Sequence, residues 1–169
     1  RFLREARAAG VLSHPNIVTI FDVGVEGDVP YIAMELIDGM TLGDLIRTER
    51  QFAVHEIVDI GIELTRALDF AHRKGIVHRD VKPGNVMMVQ DRNTVKVTDF
   101  GICQVDSADA TELTQQTRLG DVLGTPNYMS PEQVAGGKVD ARSDLFSVGV
   151  VLYRLITGVL PFEGDSVIT

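Results

Sequence analysis

The stretch His78-Arg79-Asp80-Val81-Lys82-Pro83-Gly84-Asn85 places three chemically able side chains within six residues of one another. An Asp can hold a hydroxyl and take its proton, a Lys can neutralise a phosphate oxygen, and an Asn can ligate Mg²⁺ through its carbonyl oxygen. Asp99-Phe100-Gly101 begins fourteen positions after Asn85, and its carboxylate can share a metal with Asn85. One base, one cation and two oxygen ligands for a hard metal are the set that phosphoryl transfer asks for, because its catalysis is mostly positioning and charge neutralisation. Taken singly, Asp80, Asn85 and Asp99 could each be ordinary turn formers. Their joint spacing is what makes them candidates.

These residues need a frame. The apolar stripe Ile57, Ile60, Leu64, Ala67, Leu68 and Ala71 predicts a helix over about Val54 to Lys74, stopped by Gly75. The His78–Asn85 stretch is then a loop leaving that helix. Val86 to Val89 and Thr94 to Thr98 read as a hairpin around Asp91-Arg92-Asn93, which carries the chain to Asp99. Upstream, Ile17 to Val23 and Val29 to Leu36 read as a second hairpin around Glu26-Gly27-Asp28. Asp38-Gly39-Met40 reads as a break, with Thr41 capping a short helix from Leu42 to Arg47. Residues 1–10 read as an amphipathic helix on Phe2, Ala6 and Ala9. Residues 102–123 are polar and aperiodic, a long loop. Asp144 to Thr157 is apolar nearly all round (Leu145, Phe146, Val148, Val150, Val151, Leu152, Leu155, Ile156), the pattern of a helix buried on every side. Gly158 and Pro161 end it. The sum is an α+β arrangement.

Composition narrows the classes. Of 169 residues, 44% are hydrophobic and 24% charged, a globular balance. A net charge of −8 argues against a general nucleic-acid or anionic-membrane surface. Cys103 is the only cysteine, so no intramolecular disulfide and no thiolate cluster can form, and a reducing cytoplasmic setting fits. No apolar run has the length of a membrane span. His14, His55 and His72 stand isolated and read as structural or surface residues, and His78 as a packed core histidine.

His78-Arg79-Asp80 with Asn85, then Asp99-Phe100-Gly101, then Ser130-Pro131-Glu132, resemble the protein-kinase signature set in order and context. Lys82 and Gly124-Thr125-Pro126-Asn127-Tyr128-Met129 resemble the Ser/Thr class, with wording similar to bacterial kinases of the eukaryotic type. The resemblance spans the chain. It implies a bilobal fold, with residues 1–36 as the remainder of the N-lobe, residues 37–169 as the hinge and first part of the C-lobe, and an activation segment over 99–132. It implies ATP with Mg²⁺, or Mn²⁺, as cofactors and a protein Ser/Thr hydroxyl as acceptor.

Roles follow position by position. Asp80 would be the base and Lys82 would meet the γ-phosphate. Asn85 and Asp99 would hold the metal, and Thr125 would bond to Asp80 and Lys82. Met34 would stand behind the adenine pocket, Glu35 and Ile37 would pair with adenine through their backbones, and Met87 would lie under the ring. Glu5 resembles the glutamate that pairs with the ATP-binding lysine, although Arg1 at i, i+4 offers a simpler partner. Ala9, Ile20, His78 and Phe100 would stack as a spine anchored by Asp144. Arg79 would meet a phosphate on Thr114 or Thr117, implying activation by autophosphorylation, with a homodimer as a route to it. Glu132 would be buried against an arginine.

The family's Gly-rich loop and strand lysine have no counterpart here, since no lysine precedes Lys74. The chain opens at Arg1 inside a helical pattern, which reads as a fragment. The expectation is that these 169 residues alone are poorly soluble and have negligible activity. A pseudokinase-type binding module is the alternative, disfavoured by intact Asp80, Asn85 and Asp99. A small-molecule phosphotransferase is the third reading, disfavoured by the 124–132 segment, which suits an extended peptide acceptor.

Overall fold

A computed structural model describes residues 10–90, 94–100 and 126–162. Strands β1 (Ile20–Glu26) and β2 (Val29–Met34) form an antiparallel hairpin in which Glu26 faces Val29. Gly27 in the turn has φ of 62°, a left-handed conformation that glycine adopts without steric cost. A second, three-stranded sheet has the order β3 (Gly39–Thr41), β4 (Val86–Val89), β5 (Thr94–Val97), all antiparallel. The stretch before it ties the two regions together. Val18 N–H donates to the Val97 carbonyl and Val97 N–H to the Asn16 carbonyl, both at 2.9 Å, and Ile17 forms a parallel bridge to Val97.

The expected break at Asp38-Gly39-Met40 is corrected here, because Gly39 and Met40 are strand residues paired with Val89 and Met88. Glycine usually interrupts a strand. At this position it is what permits the pairing, since a Cβ on Gly39 would sit 2.0 Å from the Met88 carbonyl oxygen.

Thr41 caps α1 (Leu42–Arg47) by accepting from Asp44 N–H at 3.0 Å. Helix α2 (Val54–Arg73) buries all six residues of its predicted stripe. Gly75 ends it at φ of 75°. A short α3 (Pro131–Val134) precedes α4 (Ala141–Thr157). Helix α4 starts three residues before Asp144, because Asp140 accepts from Arg142 N–H and caps it. The hydrogen bonds of Arg142, from side chain and backbone, push the Asp140 carboxyl down to about 2. Gly158 closes α4 in the left-handed conformation.

Helices α2 and α4 cross where Gly61 leaves room for Leu152, whose Cδ1 lies 3.3 Å from the place a Cβ would occupy. Helix α4 has the apolar pattern of a core helix, and in these 169 residues alone part of that surface is open to water, as expected. Val148, Val150, Val151 and Leu155 are buried, whereas Leu145 and Ile156 are exposed. Among the described residues no helix is long and apolar enough to cross a membrane.

Candidate active site

The loop between α2 and β4 is held from behind by one buried carboxylate. Asp144, 1% exposed, accepts the His78 N–H on Oδ2 and the Arg79 N–H on Oδ1, each at 2.8 Å. His72 Nε2 lies 2.6 Å from the same Oδ2. His72, read from the sequence as structural or surface, is structural here. Arg79 has φ of 69°, a conformation that costs a non-glycine residue about 1–2 kcal/mol. The Asp144 carboxylate offsets that cost by fixing the N–H groups on either side of the His78–Arg79 peptide step.

His78 is fully buried and works as a strut. Its Nε2 meets the Thr98 carbonyl at 2.9 Å, and its Nδ1 accepts the Asp80 N–H at 3.2 Å. A carbonyl needs a donor and an N–H needs an acceptor, so the ring is the neutral Nε2–H tautomer. Burial lowers its pKa below the ordinary 6.5, more than the nearby Asp144 carboxylate raises it. The ring also packs on Phe100, centroids 4.6 Å apart.

The sign of the pH effect follows. A histidine with a depressed folded pKa contributes full stability above its unfolded value and loses it as pH falls through the folded one, because the unfolded chain takes the proton first. Stability should fall below about pH 6.5, by at most about 1.4 kcal/mol per pH unit for one such proton. His14, lowered by its own burial and by Arg66, adds to the same limb. Urea midpoints between pH 7.5 and 5.5 should fall less steeply in His78→Asn than in the parent. Equal slopes would sink the assignment.

Asp80, Lys82 and Asn85 converge. Lys82 Nζ donates to Asp80 Oδ2 at 2.7 Å. Asn85 Nδ2 donates to the Asp80 backbone oxygen at 2.8 Å and to Oδ2 at 3.0 Å. The Asp80 and Lys82 side chains are 36% and 26% exposed, and ion pairs at that exposure are worth about 1 kcal/mol or less. The pair therefore serves placement more than stability. A 3-10 turn at Pro83–Asn85 sets Asn85 under the carboxylate, and Asn85 is buried. Its amide donors are both spent on Asp80, so what it has to offer a cation is its carbonyl oxygen. Thr98 N–H donates to the backbone carbonyl of Asn85 at 3.0 Å, which leaves the side-chain oxygen free of this bond and brings Asp99 beside Asn85. Asp99 is exposed, with φ of 59°. Among the described residues, its Oδ1 receives only a long hydrogen bond from Thr98 Oγ1, 3.3 Å.

The nucleotide-side candidates are more scattered. Met34 lines a small recess with Ile17, Ile20, Val97, Asp99 and Phe100. Ile37 and Met87 do not line it. Met87 is half-buried between Thr41 and Lys96 on the neighbouring strands, while Met88 turns into the core. The Glu35 side chain is engaged locally. It accepts from Thr19 N–H at 2.6 Å and pairs with Lys96 at 2.7 Å. Burial pushes this carboxyl up, but the Lys96 and Thr19 hydrogen bonds outweigh it and leave its pKa below the ordinary range.

Sequence reading missed how the 128–133 stretch joins the loop. Gln133 Nε2 donates to the Arg79 carbonyl at 2.6 Å, and Ser147 Oγ donates to the Tyr128 carbonyl at 2.7 Å. The signal available was Ser130-Pro131-Glu132-Gln133, a capping pattern that starts a helix and turns Gln133 inward. Glu132, expected to be buried, is half-exposed and accepts from Ser143 Oγ, which lowers its pKa. Glu5, Ala9, Thr114, Thr117 and Thr125 lie outside the described residues, as do residues 1–9 of the helix predicted over 1–10 and the loop over 102–123.

The family model described as "Protein kinase domain" matches residues 1–169. The chain is 47% identical over 170 residues to the serine/threonine-protein kinase PknB of Mycobacterium leprae, covering 98% of this chain and 26% of that protein. It is 44% identical over 169 residues to a probable serine/threonine-protein kinase of Clostridium perfringens, covering 100% of this chain and 24% of that protein. It thus spans about a quarter of the length of these relatives, 26% and 24%. Among solved structures, the kinase domain of Mycobacterium tuberculosis PknI matches with a TM-score of 0.76 at 29% identity, over 96% of this chain and 58% of that one. Rad53 in complex with AMP-PNP matches with a TM-score of 0.76 at 28% identity, over 98% of this chain and 40% of that one.

Proposed function

Because the chain belongs to the protein kinase domain family, we propose that it carries the phosphoryl-transfer half of a Ser/Thr protein kinase. The observation that supports this most is the convergence of Lys82 and Asn85 on the Asp80 carboxylate, with Asp99 carried to Asn85 by the Thr98–Asn85 hydrogen bond. Asp80 orients the substrate hydroxyl and takes its proton as the oxygen bonds to the γ-phosphorus. The bond from that phosphorus to the β–γ bridging oxygen breaks, and ADP leaves. Lys82 lies one hydrogen bond from Asp80 and neutralises a γ-phosphate oxygen as charge develops there.

The donor set fits a hard divalent cation. Asn85 has only its carbonyl oxygen to give, and the Asp99 carboxylate is exposed and lightly bonded. These two residues would hold Mg²⁺, or Mn²⁺ in its place, which supplies charge neutralisation on the phosphates. ATP is the donor, in keeping with the AMP-PNP complex of the Rad53 relative. Met34, Glu35, Ile37 and Met87 are the proposed adenine contacts, Glu5 and Thr125 the remaining positions of the site. A single cysteine and ATP-dependent chemistry fit a cytoplasmic setting, and a second copy of the chain is a candidate partner for trans-autophosphorylation.

The test is incubation of the full-length protein with γ-labelled Mg·ATP and a protein acceptor, followed by phosphoamino-acid analysis. Label on Ser and Thr is the expected result. Tight ATP binding with no transfer, or transfer to small molecules and not to protein, would overturn the reading.

A further inference from the structure

A groove opens beside the Asp80–Lys82 pair, between α1, the Pro83–Asn85 turn and the 3-10 turn at Pro126–Tyr128. Thr41, Arg47, Lys82, Gly84, Tyr128 and Arg154 line it. Its lining includes three cations and no carboxylate, on a chain whose net charge is −8. The three cations differ. Lys82 is bonded to Asp80. Arg47 pairs with Asp44 on the exposed side of α1. Arg154 comes from α4, is half-buried, and donates to the neutral Tyr128 hydroxyl. Among the described residues no carboxylate pairs with Arg154. A half-buried guanidinium that no described carboxylate neutralises is a place that an incoming carboxylate stabilises through a charge-assisted hydrogen bond.

We propose that this groove is a specificity subsite that selects protein substrates with an Asp or Glu within three residues of the acceptor hydroxyl. The proposal rests on the reading of Asp80 as the base, since Lys82 belongs both to the groove and to the Asp80 pair. With the acceptor at Asp80, two or three extended residues carry the substrate chain about 7–10 Å along the groove that begins at Lys82. Arg154 and Arg47 then meet the acidic side chain, and basic substrates are repelled.

The chain's own threonines are sorted by this rule. Thr114 has Glu112 two positions before it. Thr117 has no carboxylate within three positions and has Arg118 next to it. Autophosphorylation should therefore favour Thr114 over Thr117. Thr111, between Asp109 and Glu112, is admitted as well.

The experiment uses the full-length protein and two peptides copying residues 108–120, each with Thr111→Ala and Thr117→Ala so that Thr114 is the sole acceptor. One keeps Glu112 and the other carries Glu112→Lys. The expected kcat/KM is about tenfold higher for the glutamate peptide. Arg154→Glu should reverse that preference, and Arg47→Glu, a change on the exposed side of α1, should narrow it without burying any new charge. Equal kcat/KM for the two peptides overturns the subsite. So does a preference unchanged in Arg47→Glu, which decides the matter if Arg154→Glu does not fold. Transfer to neither peptide, nor to any other protein acceptor, overturns the kinase reading and the subsite together. Transfer that ignores charge overturns the subsite alone.

Discussion

In the full-length protein, Asp80→Asn should lower kcat for phosphoryl transfer by roughly 10²–10⁴-fold, the usual contribution of a positioned general base. The Kd for Mg·ATP should stay within about threefold of the parent, a change of less than about 0.7 kcal/mol. The two expectations separate because of what Asp80 touches. Its carboxylate bonds to Lys82 and Asn85, whereas the proposed metal ligands are the Asn85 carbonyl oxygen and Asp99. An asparagine at 80 keeps the side-chain volume, and the Asn85 bond to the residue-80 backbone oxygen survives. The folded loop should persist, since the lost Asp80–Lys82 pair is partly exposed and worth about 1 kcal/mol or less. Single-turnover rates with calorimetric ATP binding check both halves. A variant that transfers phosphate at the parental rate would remove Asp80 from the mechanism. One that also fails to bind ATP would make its role structural.

Local pattern carried much of this arrangement into the sequence. The period of α2 is readable because all six stripe positions face one core. Thr41 announces α1 because a hydroxyl before an apolar turn has one obvious donor to accept. The residues of the loop are legible because Asp80, Lys82 and Asn85 lie within a single turn of chain and Asp99 one hairpin later. What stayed hidden is non-local. The resemblance named Asp144 as the anchor of a spine, but not its partners: it reaches residues 65, 66 and 72 positions away, and nothing around it marks it as a triple acceptor. The Glu35–Lys96 pair crosses 61 positions. Gly39 looks like a breaker until the Met88 carbonyl is placed against it. That α4 would show apolar surface was legible, but that Leu145 and Ile156 carry it was not, because an apolar periodicity tells where neighbours could pack and not which of them is present.

The largest structural effect should come from Asp144. Its two oxygens face three donors: the His78 N–H, the Arg79 N–H and the His72 ring. Asp144→Ala leaves backbone donors buried without acceptors and should cost about 3–5 kcal/mol, in line with removing one partner of a buried charged network. Asp144→Asn is the sharper probe. It preserves shape but supplies one acceptor oxygen, and it turns an amide N–H₂ toward a backbone N–H that can only donate. A loss of about 2–4 kcal/mol is expected, or a fall in Tm of roughly 5–15 °C for a domain of this size. Activity should fall further than the folded fraction does. Arg79 sits at φ of 69° because its N–H is held. Once released, it can relax toward the right-handed region and swing Asp80 away from Lys82 and Asn85. His72→Phe is the control, since it removes one side-chain contact and leaves both backbone donors satisfied, so its Tm should move by a few degrees at most and kcat little. If Asp144→Asn melts and turns over like the parent, the buried carboxylate is not what holds the loop, and the placement of Asp80 must come from its other contacts: His78, Lys82, Asn85 and, through Arg79, Gln133.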